Sequence, residues 1–479
     1  MVKIGLEIHG YLNTNEKLFC RCKAIHGIKN AKPNTFICPI CCGMPGAKPM
    51  LPNKEAVDKT IQISLILGCR INGMTSVKVQ KRSHPSILRG ESTRETRGSL
   101  VWNRKHYDWP DLPKGYQNTI SGSYAVPVGV NGKFEGIRIR EAHIEEDPAA
   151  WNPLTGEIDY NRSGSPLIEI VTEPDFSSSE QVIEWLKQLI LTLSYIKAID
   201  SSSGLKADVN ISTNGERVEI KNINSLKNIK TAIEFEINRQ KKENVKIQET
   251  RMFDENKGVT IRMRTKEQAE DYRFISDPDL PMLKIEKKKI DKIRDSLPET
   301  PQAKLKKLIK KHKIEKKHAE ILTKNIDIVE FFEKVIEKIA PKTAIPWVTI
   351  ELLSVLNYNK KSLDEPDIEI KPEHFIELLK LVEKKLITEL KAKEILRKFI
   401  PKSFSPKEKI KGHEKISEKS DIEQFVKQAI KNNLKAVQDY QRGKTEALNF
   451  LIGEVMKLSD RRADYKTSRE ILKKLLKEK

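Results

Sequence analysis

The sequence predicts an α+β chain, with a mostly antiparallel sheet in its N-terminal half and helices alone thereafter. Three observations predict this. Several N-terminal segments alternate apolar and polar residues with a period of two, as half-buried strands do. Few helices interrupt them, and two of these are clear. Beyond about Leu283 the pattern changes to short amphipathic helices. At 479 residues the chain is longer than one ordinary domain, and its 38% apolar share suffices for several cores. We expect three domains: residues 1–290, 291–402 and 403–479. Two Lys-rich connectors separate them. One carries Leu297-Pro298-Glu299-Thr300-Pro301, and the other runs from Pro401 to Ser420.

The elements follow in chain order. In KIGLEIH, Glu7 and His9 share one face of a strand, opposite Ile4, Leu6 and Ile8. After Asn53, a helix is marked by Ala56, Val57, Thr60, Ile61, Ser64 and Leu65, and Gly68 ends it. A second helix starts at Ser178, with Gln181 completing a capping box, and continues through Val182, Trp185, Leu186, Leu189, Ile190 and Leu193. ADVNIS sets Asp208, Asn210 and Ser212 against Ala207, Val209 and Ile211. Asn214-Gly215 is a hairpin turn. The return strand RVEIKNI carries Glu219 and Lys221 on its polar side. In VTIRMRTKE, Thr260, Arg262, Arg264 and Lys266 oppose Val259, Ile261 and Met263. A plain solvated sheet face is the simpler reading of these polar sides. Their Asp, Asn, Glu, His and Arg are the residues that hold ligands.

Cys20 and Cys22 form C-x-C, and Cys38 and Cys41 form C-x-x-C. Two close pairs joined by a loop can close a tetrahedral thiolate shell around zinc, and a shell filled by protein leaves no room for catalytic water. Gly43 fits a knuckle turn. Cys42 is a spare, and Cys69 follows a buried helix as a core residue.

EAHIEEDPAA crowds Glu141, His143, Glu145, Glu146 and Asp147 into one stretch, and SPLIEIV places Glu169 alone among apolar residues. Crowded or buried carboxylates require a compensating cation, either an Arg or a metal ion. With Glu7 and His9, they suggest a divalent-cation site. Magnesium prefers oxygen ligands, and manganese accepts a His more readily. The chain contains no Walker loop and no Rossmann glycine motif. A nucleotide site must therefore use the acidic sheet, metal ions and basic residues such as Arg262, Arg264 and Lys266. The net charge of +21 suits a nucleic acid, although lysines spread along the whole chain also fit a Lys-rich proteome. No segment is apolar enough to span a membrane, and the start resembles no signal peptide, so a cytoplasmic location is expected.

IGLEIHGYLNT, KLFCRC, ICPICCGMPGAKPMLPNKEAV, DYNRSGSPLIEIVTEPD, EIKNINSL and DYRFISDPDLP, with NNLKAVQDYQRGKTEALNFLIGEVMK near the end, resemble the B-subunit family of aspartyl/glutamyl-tRNA amidotransferases. The resemblance spans nearly the whole chain. It implies a glutamine-synthetase-like cradle with a zinc knuckle, then a helical domain and an all-α tail that touches tRNA. It implies ATP-dependent phosphorylation of Asp or Glu esterified to tRNA, followed by displacement with ammonia. A glutaminase A subunit would supply the ammonia, and a C subunit would wrap both partners. His9, Glu146 and Glu169 fall at the family's magnesium positions, with Glu7 close by. The four cysteines match zinc positions. Asn210, Lys221, Asn222, Arg264, Tyr272 and Arg273 lie in motif runs around the active face and imply nucleotide proximity. The tail's Arg442, Lys444, Arg461, Arg462 and Arg469 imply tRNA contacts. Ala150 stands where the family carries a basic residue, and the 82–103 stretch differs from the bacterial pattern. The alternative is a tRNA-binding scaffold that kept the fold and lost the chemistry; the retained Glu7, His9, Glu146 and Glu169 favour the enzyme.

Overall fold

Lys3–Tyr11 (β1) is the strand around which the N-terminal unit is built. The structure, a computed structural model, describes residues 1–25, 31–73, 100–107, 109–122, 125–200, 203–243, 245–265, 272–409, 416 and 418–477. Lys266 and all of 82–103 before Leu100 lie outside these residues, as do the side chains of Asn222 and Arg264. The chain divides into two compact units, Met1–Thr300 and Pro301–Lys479.

The strands after β1 are Arg70–Ile71 (β2), Asn103–Lys105 (β3), Gln117–Thr119 (β4), Gly129–Phe134 (β5), Ile137–Glu146 (β6), Ala150–Trp151 (β7), Ile158–Asp159 (β8) and Pro166–Thr172 (β9). Leu205–Ser212 (β10), Val218–Ile223 (β11), Glu249–Asp254 (β12), Val259–Thr265 (β13) and Ile275–Ser276 (β14) complete them. Twelve form one sheet in the order β13-β12-β11-β10-β1-β9-β6-β4-β3-β14, with β5 on β6 and β2 on β5. Every pairing in it is antiparallel except β11 with β12.

Antiparallel register turns the alternation of each strand into rows across the sheet, because directly opposed residues share a face. Glu7 stands opposite Asp208 and Val171. His9 stands opposite Lys206 and Glu169, and Glu169 stands opposite His143. The other face carries Ile4, Leu6, Ile8, Ile168, Ile170, Val209, Ile211 and Ile220, all buried. It packs under Lys54–Ile66 (α1), Ser179–Tyr195 (α2) and Leu226–Lys242 (α3).

The expected helix signals act as caps. The Asn53 side chain accepts from the Glu55 and Ala56 amides, and Gly68, at φ +71°, closes α1. Ser178 accepts from the Gln181 amide while Gln181 Oε1 accepts from the Ser177 amide. Trp185 of α2 locks onto the sheet, with its indole N–H on the Phe134 carbonyl at 2.9 Å and its ring edge-on to Phe134 and Phe176. The first Lys-rich connector contains a helix, Lys287–Ser296 (α4), whose Ile293 is buried in the same core.

The far end of the sheet reverses the expected facing. Ile261 and Met263 are 40% and 47% exposed, whereas Thr260 is buried. Arg262, expected on the ligand-holding face, pairs with Glu249 at 3.2 Å. The reason lies in α3, which presents a fully buried Glu236 under this end. Glu236 accepts from Arg239 and from the Thr260 hydroxyl at 2.8 Å, and Arg251 approaches it at 3.6 Å. A buried carboxylate demands donors, and here it draws Thr260 inward, while Arg262 stays half exposed at the edge of the sheet.

The second unit is helical among its described residues. Its last four helices, Lys419–Asn432, Leu434–Gln441, Glu446–Leu458 and Tyr465–Lys477, share a core that includes Ile422, Val426, Leu451, Val455 and Leu472. No described helix is long and apolar enough to cross a membrane.

Candidate active site and metal centre

The open face gathers its acids into two groups on either side of β1. In the first, ligand atoms of His9, Glu145 and Glu169 all lie within 4.8 Å of one another. His9 Nε2 is 3.4 Å from Glu169 Oε2 and 3.9 Å from Glu145 Oε1. The buried His143 approaches the same Glu169 oxygen at 3.2 Å. Burial opposes a charged His9, but the hydrogen bond and charge of Glu169, with the charge of Glu145, raise it to about 9. His143 is raised to about 10 in the same contest, with the Glu169 charge the largest favourable cause. Burial and the Glu169 charge push Glu145 above the usual carboxylate range, and its buried Oε2 has no hydrogen-bond partner.

In the second group, Glu7, Asp208 and Glu219 bring carboxylate oxygens within 4.8 Å of one another. Lys221 Nζ lies 2.7 Å from both Asp208 and Glu219, and Asn210 donates to Glu7 at 3.0 Å. Burial and the Glu169 charge raise Glu7 above the ordinary range. Beside Glu7 the face is hollowed into a cavity of about 150 Å³ with a basic rim of Lys3, Arg140 and Arg217. The first group offers carboxylate and imidazole donors and the second carboxylates alone, sets that suit a borderline and a hard divalent cation respectively.

The structure thus brings Glu7, His9, Glu169, Asn210 and Lys221 onto one face. It does not bring Glu146 to the His9 group. That carboxylate pairs with Lys114 and accepts from the Asn118 amide at 2.9 Å, while its own carbonyl accepts from Gln117 at 2.8 Å. Tyr272 stands near the first group through Lys105, whose ammonium lies 4.9 Å from the ring centroid and feels Glu145 and Glu169. Arg273 has φ +42°, and its carbonyl is 3.0 Å from His106 Nδ1. The motifs do not single out Glu145, Asp208, Glu219 or Lys105. Strand parity points to the first three: counting by two from His143 reaches Glu145, not Glu146, and Asp208 and Glu219 fall on the polar sides of ADVNIS and RVEIKNI.

The cysteine centre lies on loops. Sulfurs of Cys20, Cys22, Cys38 and Cys41 lie within 4.8 Å of one another, with Cys38 and Cys41 at 3.9 Å. Tetrahedral zinc with Zn–S bonds of about 2.3 Å places sulfurs roughly 3.8 Å apart, so the set fits a metal ion. A hydrogen bond from Cys20 holds Cys41 down at about 4 against burial, with help from the Lys17 charge. Gly43, at φ +65°, must be glycine, since a Cβ there would sit 2.3 Å from the Pro113 carbonyl oxygen. Cys69 is buried in the sheet core, and Cys42 is half-buried beside the cluster.

Comparison with known proteins gives the family. The signature of the GatB/GatE catalytic domain matches residues 2–90 and 92–291, and that of the GatB domain matches 330–476. The B subunit of aspartyl/glutamyl-tRNA(Asn/Gln) amidotransferase from Methanocaldococcus jannaschii is 41% identical, covering 99% of this chain and 98% of its own length. Its namesake from Methanothermobacter thermautotrophicus is 42% identical, covering 98% and 99%. That of Methanopyrus kandleri is 40% identical over 99% and 98%. The chain belongs to the B-subunit family of these amidotransferases. For a member of this family, the open face with its two acid groups lies wholly inside the stretch matched as catalytic domain.

Proposed function

We propose that this chain activates the side-chain carboxylate of Asp or Glu already esterified to tRNA, using ATP, so that ammonia can convert it to the amide. A carboxylate does not react with ammonia at neutral pH, because the leaving group would be oxide. Phosphoryl transfer from ATP gives an acyl phosphate, and ammonia then displaces phosphate. The observation that carries the reading is the His9–Glu145–Glu169 group: three ligand atoms within 4.8 Å, on an open face, with a buried Glu145 oxygen lacking a partner.

Magnesium held there would neutralise phosphate oxygens and align the γ-phosphoryl group. We assign His9, Glu145 and Glu169 to this ion, with Glu146 holding Lys114 at the margin of the group. Glu7, Asp208 and Glu219 offer a second position. Lys221, Asn210 and the basic rim of the neighbouring cavity would face the nucleotide; Asn222, Arg264, Tyr272 and Arg273 are added to this reading on the family resemblance. Positioning of the two reactants supplies much of the rate. We assign zinc to Cys20, Cys22, Cys38 and Cys41 in a structural role. The reading includes a cradle at 1–290, a helical domain at 291–402 and a tRNA-binding tail at 403–479. It also includes a cytoplasmic heterotrimer with a glutaminase A subunit and a small C subunit.

The test is amidation of misacylated tRNA by the reconstituted complex, with ammonium chloride replacing glutamine. Product should require ATP and a divalent cation, and inorganic phosphate should appear with it. Amidation without ATP or metal would overturn the reading. An assembly that binds tRNA but turns over no ATP would favour the scaffold.

A further inference from the structure

Lys17 is a charge in an unusual place. Its side chain is 1% exposed and ranks among the largest fully buried side chains of the described residues. Its ammonium makes two hydrogen bonds, to Cys41 Sγ at 3.4 Å and to the Tyr160 carbonyl at 3.3 Å. Among the described residues no carboxylate forms an ion pair with it. A buried ammonium is retained only where a counter-charge and acceptors meet it. Among the described residues, the group beside Lys17 able to supply negative charge is the thiolate cluster.

The cluster needs that charge as much as Lys17 needs the cluster. Zinc bound by four thiolates carries a net charge of minus two, and two of its ligands, Cys20 and Cys41, are buried. Partners outside the ligand shell fix ligand orientation and tune metal retention. Lys17 is also placed to transmit position. Tyr160 belongs to the loop that leads into β9, where Glu169 lies. That loop is clamped to the knuckle by further contacts. Asn161 Oδ1 accepts from the Thr35 and Phe36 amides, both at 2.9 Å, Ser163 donates to the Cys41 carbonyl at 2.7 Å, and Leu18 donates to the Gly164 carbonyl at 2.8 Å.

We infer that Lys17 is the built-in counter-ion of the metal-loaded knuckle, halving its charge through Cys41 and tying it to the loop before β9. The inference rests on the assignment of zinc to the four cysteines. Nothing in it requires Lys17 to touch substrate; it is a positioning residue of the metal centre.

Zinc content of the full-length chain comes first. Protein purified without chelator should hold one zinc, as expected for a four-ligand structural site. Absence of zinc would remove the assignment itself, separately from the role of Lys17. The release of zinc to a colorimetric chelator is then timed at fixed pH. Lys17→Met should release it at least about tenfold faster, the scale of lost outer-shell partners. Lys17→Gln, which keeps a donor and loses the charge, should behave like Lys17→Met. Asn161→Ala loosens the same loop without touching the charge and should release zinc more slowly than either. Equal release from all three would reduce Lys17 to a loop clamp and overturn the proposal, as would wild-type release from Lys17→Met. A measurement on the unmutated chain covers variants that fail to fold. Lys17 should resist acetylation while zinc is bound and become modified once zinc is stripped. Equal modification in both states would also overturn it.

Discussion

One end of the sheet and its centre bury carboxylates in opposite ways. Under β12 and β13, Glu236 is fully covered, and donors meet both of its oxygens. Arg239 and Gln240 reach Oε1 at 2.6 and 2.9 Å, and Arg239 and Thr260 reach Oε2 at 3.1 and 2.8 Å. At the centre, Glu145 is just as buried, yet one oxygen has no partner, and Glu169 offers a single oxygen to two histidines. A fully paired buried acid fixes structure. An under-paired one keeps coordination capacity for something that arrives later, and the open face is where the chain leaves it.

The largest expected effect breaks the central group. Glu145→Gln and Glu169→Gln should lower tRNA amidation by roughly a thousandfold or more, the several kcal/mol that a catalytic cation supplies. Ammonium should not rescue either variant, because the substrate carboxylate is never activated. Stability of metal-free Glu145→Gln should hold or rise, since one of several crowded like charges is gone. Glu146→Gln is the contrast. It should stay within about tenfold of wild type, the scale of one charge-assisted hydrogen bond. Equal losses for Glu145→Gln and Glu146→Gln would mean that both carboxylates serve the ion.

Next in size is the reverse experiment at the paired end. Glu236→Ala leaves Arg239 and Arg251 sharing Glu249 as their remaining buried counter-charge and should cost at most about 3 kcal/mol in urea unfolding, the scale for loss of one partner of a buried ion pair. Amidation per folded molecule should change little. If activity collapsed while stability held, the paired end would be part of the site and the contrast would fail.

These two regions also mark what the sequence discloses. Alternation in KIGLEIH, ADVNIS and RVEIKNI places Glu7, His9, Asp208, Asn210, Glu219 and Lys221 on one face, because those strands lie over a largely apolar layer. The same alternation misleads in VTIRMRTKE. Its apolar residues face outward because Glu236, on α3 and outside every motif, sits beneath the polar ones. Periodicity reports that two faces differ, and only the packed helix decides which is covered. Glu145 and Glu146 show the same limit at closer range. Adjacent acids on a strand point to opposite sides, and family motifs alone do not separate them. The contacts of Lys105 and Lys17 arise from chain segments far apart in sequence, which no local pattern encodes.

The smallest effect is a pH window, and it sharpens the comparison without a mutation. His9 and His143 are raised in the folded protein to about 9 and about 10. A group raised above its unfolded value contributes stability that is fully present below about 6.5 and lost as pH climbs through the folded value. Glu169 is held low, chiefly by the charge and hydrogen bond of His143 against burial, so its contribution is lost only on acidification. Metal-free protein should therefore melt at progressively lower temperature from about pH 6.5 to about pH 10. A divalent cation bound there would replace the same protons as counter-charge to Glu145 and Glu169. Saturating manganese should flatten that decline, and its affinity should strengthen as pH rises because binding displaces a proton from His9. Thermal melts in chelator and in manganese across the window decide the matter. Parallel declines in the two conditions would show that the protons, and the cation, do not share the His9–Glu145–Glu169 group.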